Sequence, residues 1–206
     1  MAINFPTSID SPTTKTTSDD VEAAHINDVQ SMAVALETKV GVDGSAVATS
    51  HDYKLAHEGI VQVVNTQTGA YTSGSTVMPF DDTIPQNTEG DQYMTLAITP
   101  KSATNKLKID VVMFVTPSAN NMVNAALFQD STANALAAAT GYYSTNLGLS
   151  AVIFTHYMTS GTTSETTFKV RAGCNSSGTM YFNGNSAARK FGGILASSIT
   201  ITEIKV

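Results

Sequence analysis

From residue 60 to the C-terminus, apolar and polar side chains mostly alternate in short runs separated by Gly, Pro, Asn and Ser. Alternation with a period of two places one face of a strand on a core and the other in water, as in an antiparallel sandwich or barrel. The sequence therefore predicts a mainly β body. Its predicted strands are 60–66, 75–79, 92–99, 106–116, 122–129, 135–142, 149–158, 165–173, 179–183 and 196–205.

Two of these strands depart from simple alternation. In "LKIDVVMFV" the odd positions from Leu107 to Val115 form a continuous apolar face, while the even positions begin with Lys108 and Asp110 and end with Val112 and Phe114. In "SITITEIKV" the apolar parity changes, which predicts a bulge near 202–203 or burial on both faces. A strand that is apolar on both faces needs a second covering layer, and we expect another subunit to supply it.

A single helix is predicted upstream of the β body, over residues 19–41. Asp19 and Glu22 have capping-box spacing, and Gly41 is typical of the residue that follows a helix. Inside the helix, apolar residues spaced 3, 4, 3 and 4 define a seam: Ile26, Val29, Ala33, Leu36 and Val40. This spacing predicts a short coiled coil formed with copies of the same helix, and the alternative is an amphipathic helix that lies on its own domain.

The segments on either side of the helix carry no sustained apolar period. Residues 1–18 contain Pro6 and Pro12, which predict an extended arm rather than a helix. The apolar residues of the arm are Ile3, Phe5 and Ile9. The arm is either a frayed terminus or a segment that becomes ordered on a partner. Residues 42–59 are predicted to be a connector, which leaves 60–206 as the β domain.

Charge is distributed unevenly. The first 59 residues hold nine acidic and three basic side chains, so the whole net charge of −6 belongs to them, and the rest of the chain is neutral. Because neither part is basic, nucleic acid is not an expected partner. The sequence has no apolar run long enough to cross a bilayer and no secretion signal, which predicts neither membrane insertion nor secretion. Cys174 is the only cysteine and is predicted to be buried.

Residues that carry chemistry are few. His25, His51, His57 and His156 are far apart in the sequence, so neither a metal nor another cofactor is expected. Asp81, Asp82, Glu89 and Asp91 could be imagined as glycosidase acids, but their Pro- and Asn-containing loop predicts turn formers, and no enzyme activity is expected. Loops 141–148 and 182–191 hold side chains of the types that contact sugars, or are only connections. The candidate glycan contacts are Tyr142, Tyr143, Asn146, Asn183, Asn185 and Arg189.

Several stretches resemble virion fibre proteins of tailed bacteriophages: "FPTSIDSP", "HINDVQSMAVALETKVGVDGSAV", "STVMPFDDTIPQNTEGDQYMTLAITPKSATNKLKIDV", "ALFQDSTANALAA", "FTHYMTSGTTSETTFKVRAG" and "FGGILASSITITEIKV". The most specific part is the block "PQNTEGDQY…TPKSATNKL". The resemblance implies a C-terminal jelly-roll domain that forms a homotrimer, in which the predicted coiled coil of residues 19–41 would be trimeric, and an N-terminal segment that attaches to the particle. It implies no shared catalytic motif.

The resemblance and the residues together lead to one expectation. The chain is expected to be a homotrimeric fibre or spike of a phage virion, made in the cytoplasm of the bacterial host. Its arm would hold another virion protein of the capsid or tail, and its jelly roll would meet a host cell-surface glycan. The alternatives are a capsid decoration or cement protein (head fibre) that covers or stabilises the shell, and a polysaccharide-degrading tailspike.

Overall fold

The computed structural model describes residues 23–41, 45–57, 59–143, 148–186 and 188–206. The chain divides into two compact units, Met1–Gly59 and Ile60–Val206. The predicted arm with Ile3, Phe5 and Ile9 lies outside the described residues, as does the predicted helix start at Asp19.

Helix α1 of the first unit spans Ala23–Val40. It ends where the sequence predicts, because Gly41 adopts a φ of 85° and its N–H donates to the carbonyl of Glu37 at 2.7 Å. This left-handed conformation is costly for residues with a Cβ. A Cβ at Gly41 would also lie 2.8 Å from Oγ of Ser50. Both the backbone angle and the close approach therefore require glycine.

The predicted connector 42–59 contains a second helix, α2 (His51–His57), so that prediction is incomplete. Ser50 precedes the helix and accepts a hydrogen bond on Oγ from the N–H of Tyr53 at 3.1 Å, which is an N-cap. Asp52, in the first turn, accepts from the N–H of Ser45 at 2.9 Å. Capping supports a seven-residue helix that has too few residues to show an apolar period.

The second unit is built from strands. Their bounds are β1 (Ile60–Thr68), β2 (Thr72–Gly74), β3 (Asp91–Ile98), β4 (Lys106–Pro117), β5 (Asn121–Gln129), β6 (Ala137–Tyr143), β7 (Ser150–Thr159), β8 (Thr166–Cys174), β9 (Met180–Phe182), β10 (Gly184–Asn185), β11 (Ala188–Arg189) and β12 (Ser197–Ile204). A short 3₁₀ turn, Phe191–Gly193, precedes β12.

The strands form two main antiparallel sheets. The larger sheet has the order β1-β12-β4-β9-β2, with β7 paired to β4 as well, and the smaller has the order β3-β8-β5-β6. Strands β10 and β11 form a separate two-residue ribbon. Side chains from both sheets meet in one core. The predicted fold class, a mainly β antiparallel jelly-roll sandwich, is confirmed, whereas its trimeric state stays a prediction.

The core lies where alternation places it. Leu107, Ile109, Val111, Met113 and Val115 of β4 are all fully buried, as predicted. From the smaller sheet, Phe168 and Val170 of β8 pack into the same core. Burial of large side chains stabilises by about 1.5–3 kcal/mol each, so this face dominates the stability of the sandwich.

The predicted strand 75–79 is wrong. Strand β2 ends at Gly74, before this range. Residues 75–90 (the covering segment) instead cross the outer face of the smaller sheet. Met78 is fully buried there against Ala126 and Phe128, and its N–H donates to the carbonyl of Cys174 at 3.0 Å. The apolar residues that suggested a strand thus cover a sheet. Strand β5, buried on both faces, receives its second layer from its own chain.

The predicted bulge near 202–203 is also displaced. Strand β12 alternates without interruption, with Ile199, Ile201 and Glu203 facing inward. The register shift lies in the neighbouring strand β1, between Ile60 and Gln62, opposite Glu203 and Ile204. The apolar parity changes because a glutamate occupies an inward position, not because β12 is irregular.

Candidate interaction surfaces

The predicted seam on α1 is exposed in the single chain. Ile26, Val29, Leu36 and Val40 are 52%, 66%, 52% and 49% exposed, and Ala33 between them is exposed as well. The less exposed side of α1 carries Met32 and Ala35 instead. Large apolar side chains that remain half in water on one helix stripe favour a partner. The seam therefore remains available for self-association.

The outer face of the larger sheet is polar at one end. Asp110 of β4 accepts from Lys108 Nζ at 2.8 Å and from Thr155 Oγ1 at 2.6 Å. Burial raises the pKa of Asp110, but these hydrogen bonds and the charge of Lys108 outweigh burial and lower it. On β12, Thr200 Oγ1 accepts from Asn65 Nδ2 at 2.8 Å. These side chains satisfy one another at the surface of the sheet.

The other end of the same face is apolar. Val112 lies opposite Ile153 in the β4–β7 register, and Phe114 lies opposite Ala151. Ile153 is 62% exposed, whereas Val112 and Phe114 are half-buried. The face thus changes from polar to apolar along β4, as predicted from the even positions. This apolar end is a second surface that favours a partner.

The loops predicted to contact glycans are only partly described. Asn146 lies outside the described residues, and Tyr142 and Tyr143 end β6 with side chains that are not described. Asn185 and Arg189 lie on the short β10–β11 ribbon, where Arg189 is exposed. Contact of any of these five residues with a glycan stays a prediction.

Asn183 does not fit its predicted role. It is fully buried, with a φ of 55°, and its amide nitrogen donates to the carbonyls of Thr68 and Ala70 at 2.7 and 3.2 Å. Its Oδ1 accepts from the hydroxyl of Ser197 at 2.6 Å. Asn tolerates this left-handed backbone better than most residues, and its side chain joins the loop after β1 to the start of β12. Asn183 is a structural residue, so the prediction that it contacts a glycan is wrong.

Glu203 is a fully buried carboxylate. It accepts hydrogen bonds from Gln62 Nε2 and Asn105 Nδ2, both at 2.6 Å, and from the N–H groups of Lys101 and Ser102 at 2.8 and 3.3 Å. Burial raises the pKa of Glu203, but these hydrogen bonds outweigh burial and lower it. The ionised carboxylate thus ties the β3–β4 loop to β1 and β12.

The covering segment bounds a cleft of about 230 Å³ on the outer face of the smaller sheet. Phe80, Asp81 and Pro85 line one wall, and Asn124 of β5 and Thr140 of β6 line the other. Asp81 accepts on Oδ1 from the N–H and hydroxyl of Thr83 at 2.9 and 2.6 Å, a local turn of the kind the sequence predicts. No sequence pattern indicated this cleft, since β5 and the segment that covers it are far apart in the chain.

Among the residues that the structure describes, no three His, Cys, Asp or Glu side chains lie close enough together to hold a metal ion. His156, on β7 opposite Ile109, has a pKa lowered by burial. Cys174 is buried as predicted, and burial raises the pKa of its thiol. Neither helix in the described part of the chain is long and apolar enough to span a bilayer.

No protein-family model matches the sequence. No curated protein matches it either. Solved structures with a similar arrangement include an Eiger tumour necrosis factor from S. frugiperda, at 8% identity over 70% of this chain and 92% of that one, with a TM-score of 0.38.

Viral proteins also occur among the similar structures. They include a protein of the infectious bursal disease virus particle, at 12% identity over 72% of this chain and 36% of that one, with a TM-score of 0.35. Tailspike protein 4 of bacteriophage CBA120 is similar at 14% identity over 61% of this chain and 19% of that one, with a TM-score of 0.26. At these scores the similarity carries no argument about function.

Proposed function

We propose that the chain is a non-enzymatic structural protein of a bacteriophage virion and works as a homotrimeric fibre or spike. The N-terminal arm binds a capsid or tail protein, the α1 seam sets the three-fold register, and the jelly roll is presented to a host cell-surface glycan. Many copies on one particle would turn weak single contacts into firm adhesion.

The observation that carries this proposal is the exposed seam of α1. Four large apolar side chains in coiled-coil spacing are about half exposed in a single chain, and copies of the same helix are the partner that fits such spacing. The apolar end of the larger sheet supports the proposal, because another copy would cover Ile153 and Phe114. The virion role itself is supported by the resemblance of the sequence to phage fibre proteins.

Replacing Leu36 with Glu is expected to weaken the trimer. Sedimentation of the full chain should give three times the 21.6 kDa of one chain, and on dilution the variant should dissociate into single chains at a higher concentration than the wild type. The trimer is weakened because it would bring three carboxylates together in a seam from which water is excluded. Thr38→Glu is the matched control, since two residues turn the helix by about 200° and leave the seam unchanged. A wild-type chain that sediments as a folded monomer contradicts the proposal.

Particles that lack the chain test its place in the virion. We expect them to lose adsorption to host cells while they keep their resistance to heat and low salt. If particles that lack the chain adsorb normally but break at elevated temperature, the function would be capsid decoration and not host attachment. Release of reducing ends from host polysaccharide by the purified chain would contradict the non-enzymatic part of the proposal.

A further inference from the structure

The cleft beneath the covering segment has features of a built site. Its two walls come from distant parts of the chain: one from residues 79–85, the other from Asn124 and Thr140, which are register partners on β5 and β6. The Asn124 side chain donates from Nδ2 to the carbonyl of Met78 at 2.8 Å, so this wall is fixed to the covering segment. The aromatic ring of Phe80 at the opposite wall is 61% exposed.

One polar atom of the cleft residues has no partner. Asn124 is only 5% exposed, and among the described residues its Oδ1 finds no hydrogen-bond donor. A buried acceptor without a donor costs about 1–3 kcal/mol, and most such atoms in proteins are satisfied. Oδ1 itself is closed to water in this conformation, so a hydroxyl group in the cleft would supply the missing donor once a small displacement of the Asn124 side chain exposes it.

The chemistry of the walls selects the ligand. An exposed aromatic ring and two prolines offer an apolar surface to C–H groups, while Asp81, Thr83 and Thr140 offer oxygen atoms to hydroxyl groups. Hydrogen bonds from Thr83 lower the pKa of Asp81, so this carboxylate is ionised near neutral pH. The described residues that line the cleft include no Lys or Arg to balance an anion. The ligand that fits carries no negative charge, has many hydroxyl groups and has an apolar ring face.

We propose that this cleft binds a neutral saccharide, with the ring of Phe80 against one face of a sugar and Asn124 and Asp81 accepting from its hydroxyl groups. A second cleft of about 310 Å³ adjoins the first and shares Asp81, Thr83 and Pro85 with it. The second cleft continues along β6 past Ala137, and Ile84 beside it is 56% exposed. The two together accommodate more than one sugar ring, so the ligand is an oligosaccharide.

This inference rests on the proposed attachment function and names a site for it. The site differs from the loops that the sequence singled out, because none of their residues lines either cleft among the described residues. The two locations make opposite predictions for point variants.

The test uses the full chain and immobilised tetrasaccharides. Neutral hexose and N-acetylhexosamine tetrasaccharides form one set, and uronic acid tetrasaccharides of equal length form the other. We expect binding to at least one neutral tetrasaccharide that is at least tenfold tighter than to any uronic acid tetrasaccharide. Phe80→Ala should weaken that binding at least tenfold, and Phe80→Tyr should retain it within about threefold. Tyr157→Ala is the matched control, since Tyr157 is an aromatic residue that is 60% exposed on β7, away from both clefts, and binding should stay within twofold.

Adsorption of the purified chain to host cells separates the two proposals. If the chain binds cells and Arg189→Ala abolishes glycan binding while Phe80→Ala does not, the cleft is not the site and attachment stands. Cell binding without affinity for any neutral tetrasaccharide also overturns the saccharide inference alone. A chain that binds neither cells nor saccharides overturns the attachment function itself, and the inference with it.

Discussion

Glu203→Ala is expected to lower the free energy of unfolding of the β unit by about 3–5 kcal/mol. The substitution removes a fully buried acceptor and leaves Asn105 and two backbone N–H groups without their partner, whereas Gln62 Nε2 keeps its hydrogen bond to the carbonyl of Thr99 at 2.8 Å. Stranded buried donors cost about 1–3 kcal/mol each, and water entering the space left by the side chain would satisfy part of them. Urea unfolding followed by circular dichroism measures the change. Glu165→Ala is the control, because this acid is exposed, and its effect should stay below about 0.5 kcal/mol.

The same carboxylate is expected to make stability depend on pH. Because the folded protein lowers the pKa of Glu203 below its ordinary value of 4.5, the stabilisation is fully present above that value. It is lost as the pH falls from 4.5 through the lower pKa of the folded state, where the carboxylate takes up a proton. Stability should therefore be flat near neutral pH and decline in acid.

Glu203→Gln separates this contribution from those of other acids. The amide has nearly the shape of the carboxylate but presents an NH₂ group to a site that holds only donors, so it should destabilise at neutral pH. The difference between wild type and Glu203→Gln should shrink as the pH falls from 4.5 to 3. A difference that stays constant over this range would show that the charge of Glu203 contributes nothing.

Alternation of apolar and polar residues predicted the core correctly in strands that have one face in water. The odd positions of β4 are fully buried, and the strands from β3 to β8 lie within two residues of their predicted bounds, since alternation is a local property. The parity change in β12 does not indicate a bulge. It arises because Glu203, a polar residue, occupies an inward position. Its donors belong to β1 and to residues 101–105, and no local pattern in β12 can show partners so distant in the chain.

Local sequence patterns could not predict the covering segment or the cleft either, because both depend on contacts between distant parts of the chain. Val77 and Met78 look like strand residues, and only contact with Phe128 of β5 shows that they form a second layer. Asn183 looked like an exposed loop residue, whereas its amide satisfies the carbonyls of a loop more than 100 residues earlier in the sequence. Helix α2 did carry a local signal, since Ser50 before Asp52 is typical of a helix start.

Gly173→Ala is expected to lower the free energy of unfolding by about 3 kcal/mol and to loosen the covering segment. A Cβ at Gly173 would lie 2.3 Å from the carbonyl oxygen of Thr76 and 3.1 Å from the backbone N of Met78. Both contacts are with backbone, which cannot rotate away as a side chain does. Forcing even one extra carbon into a packed site typically costs about 1–3 kcal/mol, and here the segment has to move as a whole.

The segment is held by hydrogen bonds that depend on this close approach. Met78 donates to the carbonyl of Cys174 at 3.0 Å, and Arg171 donates from Nη2 to the carbonyl of Gly90 at 2.6 Å. We therefore expect amide hydrogen exchange at Met78 to accelerate in the variant more than exchange in β4, and saccharide binding in the cleft to weaken with it. Gly178→Ala is the matched control, because a Cβ there would lie 3.2 Å from a side-chain amide and meet no backbone. Equal stability of the two variants would mean that the covering segment packs on the smaller sheet without requiring glycine at position 173.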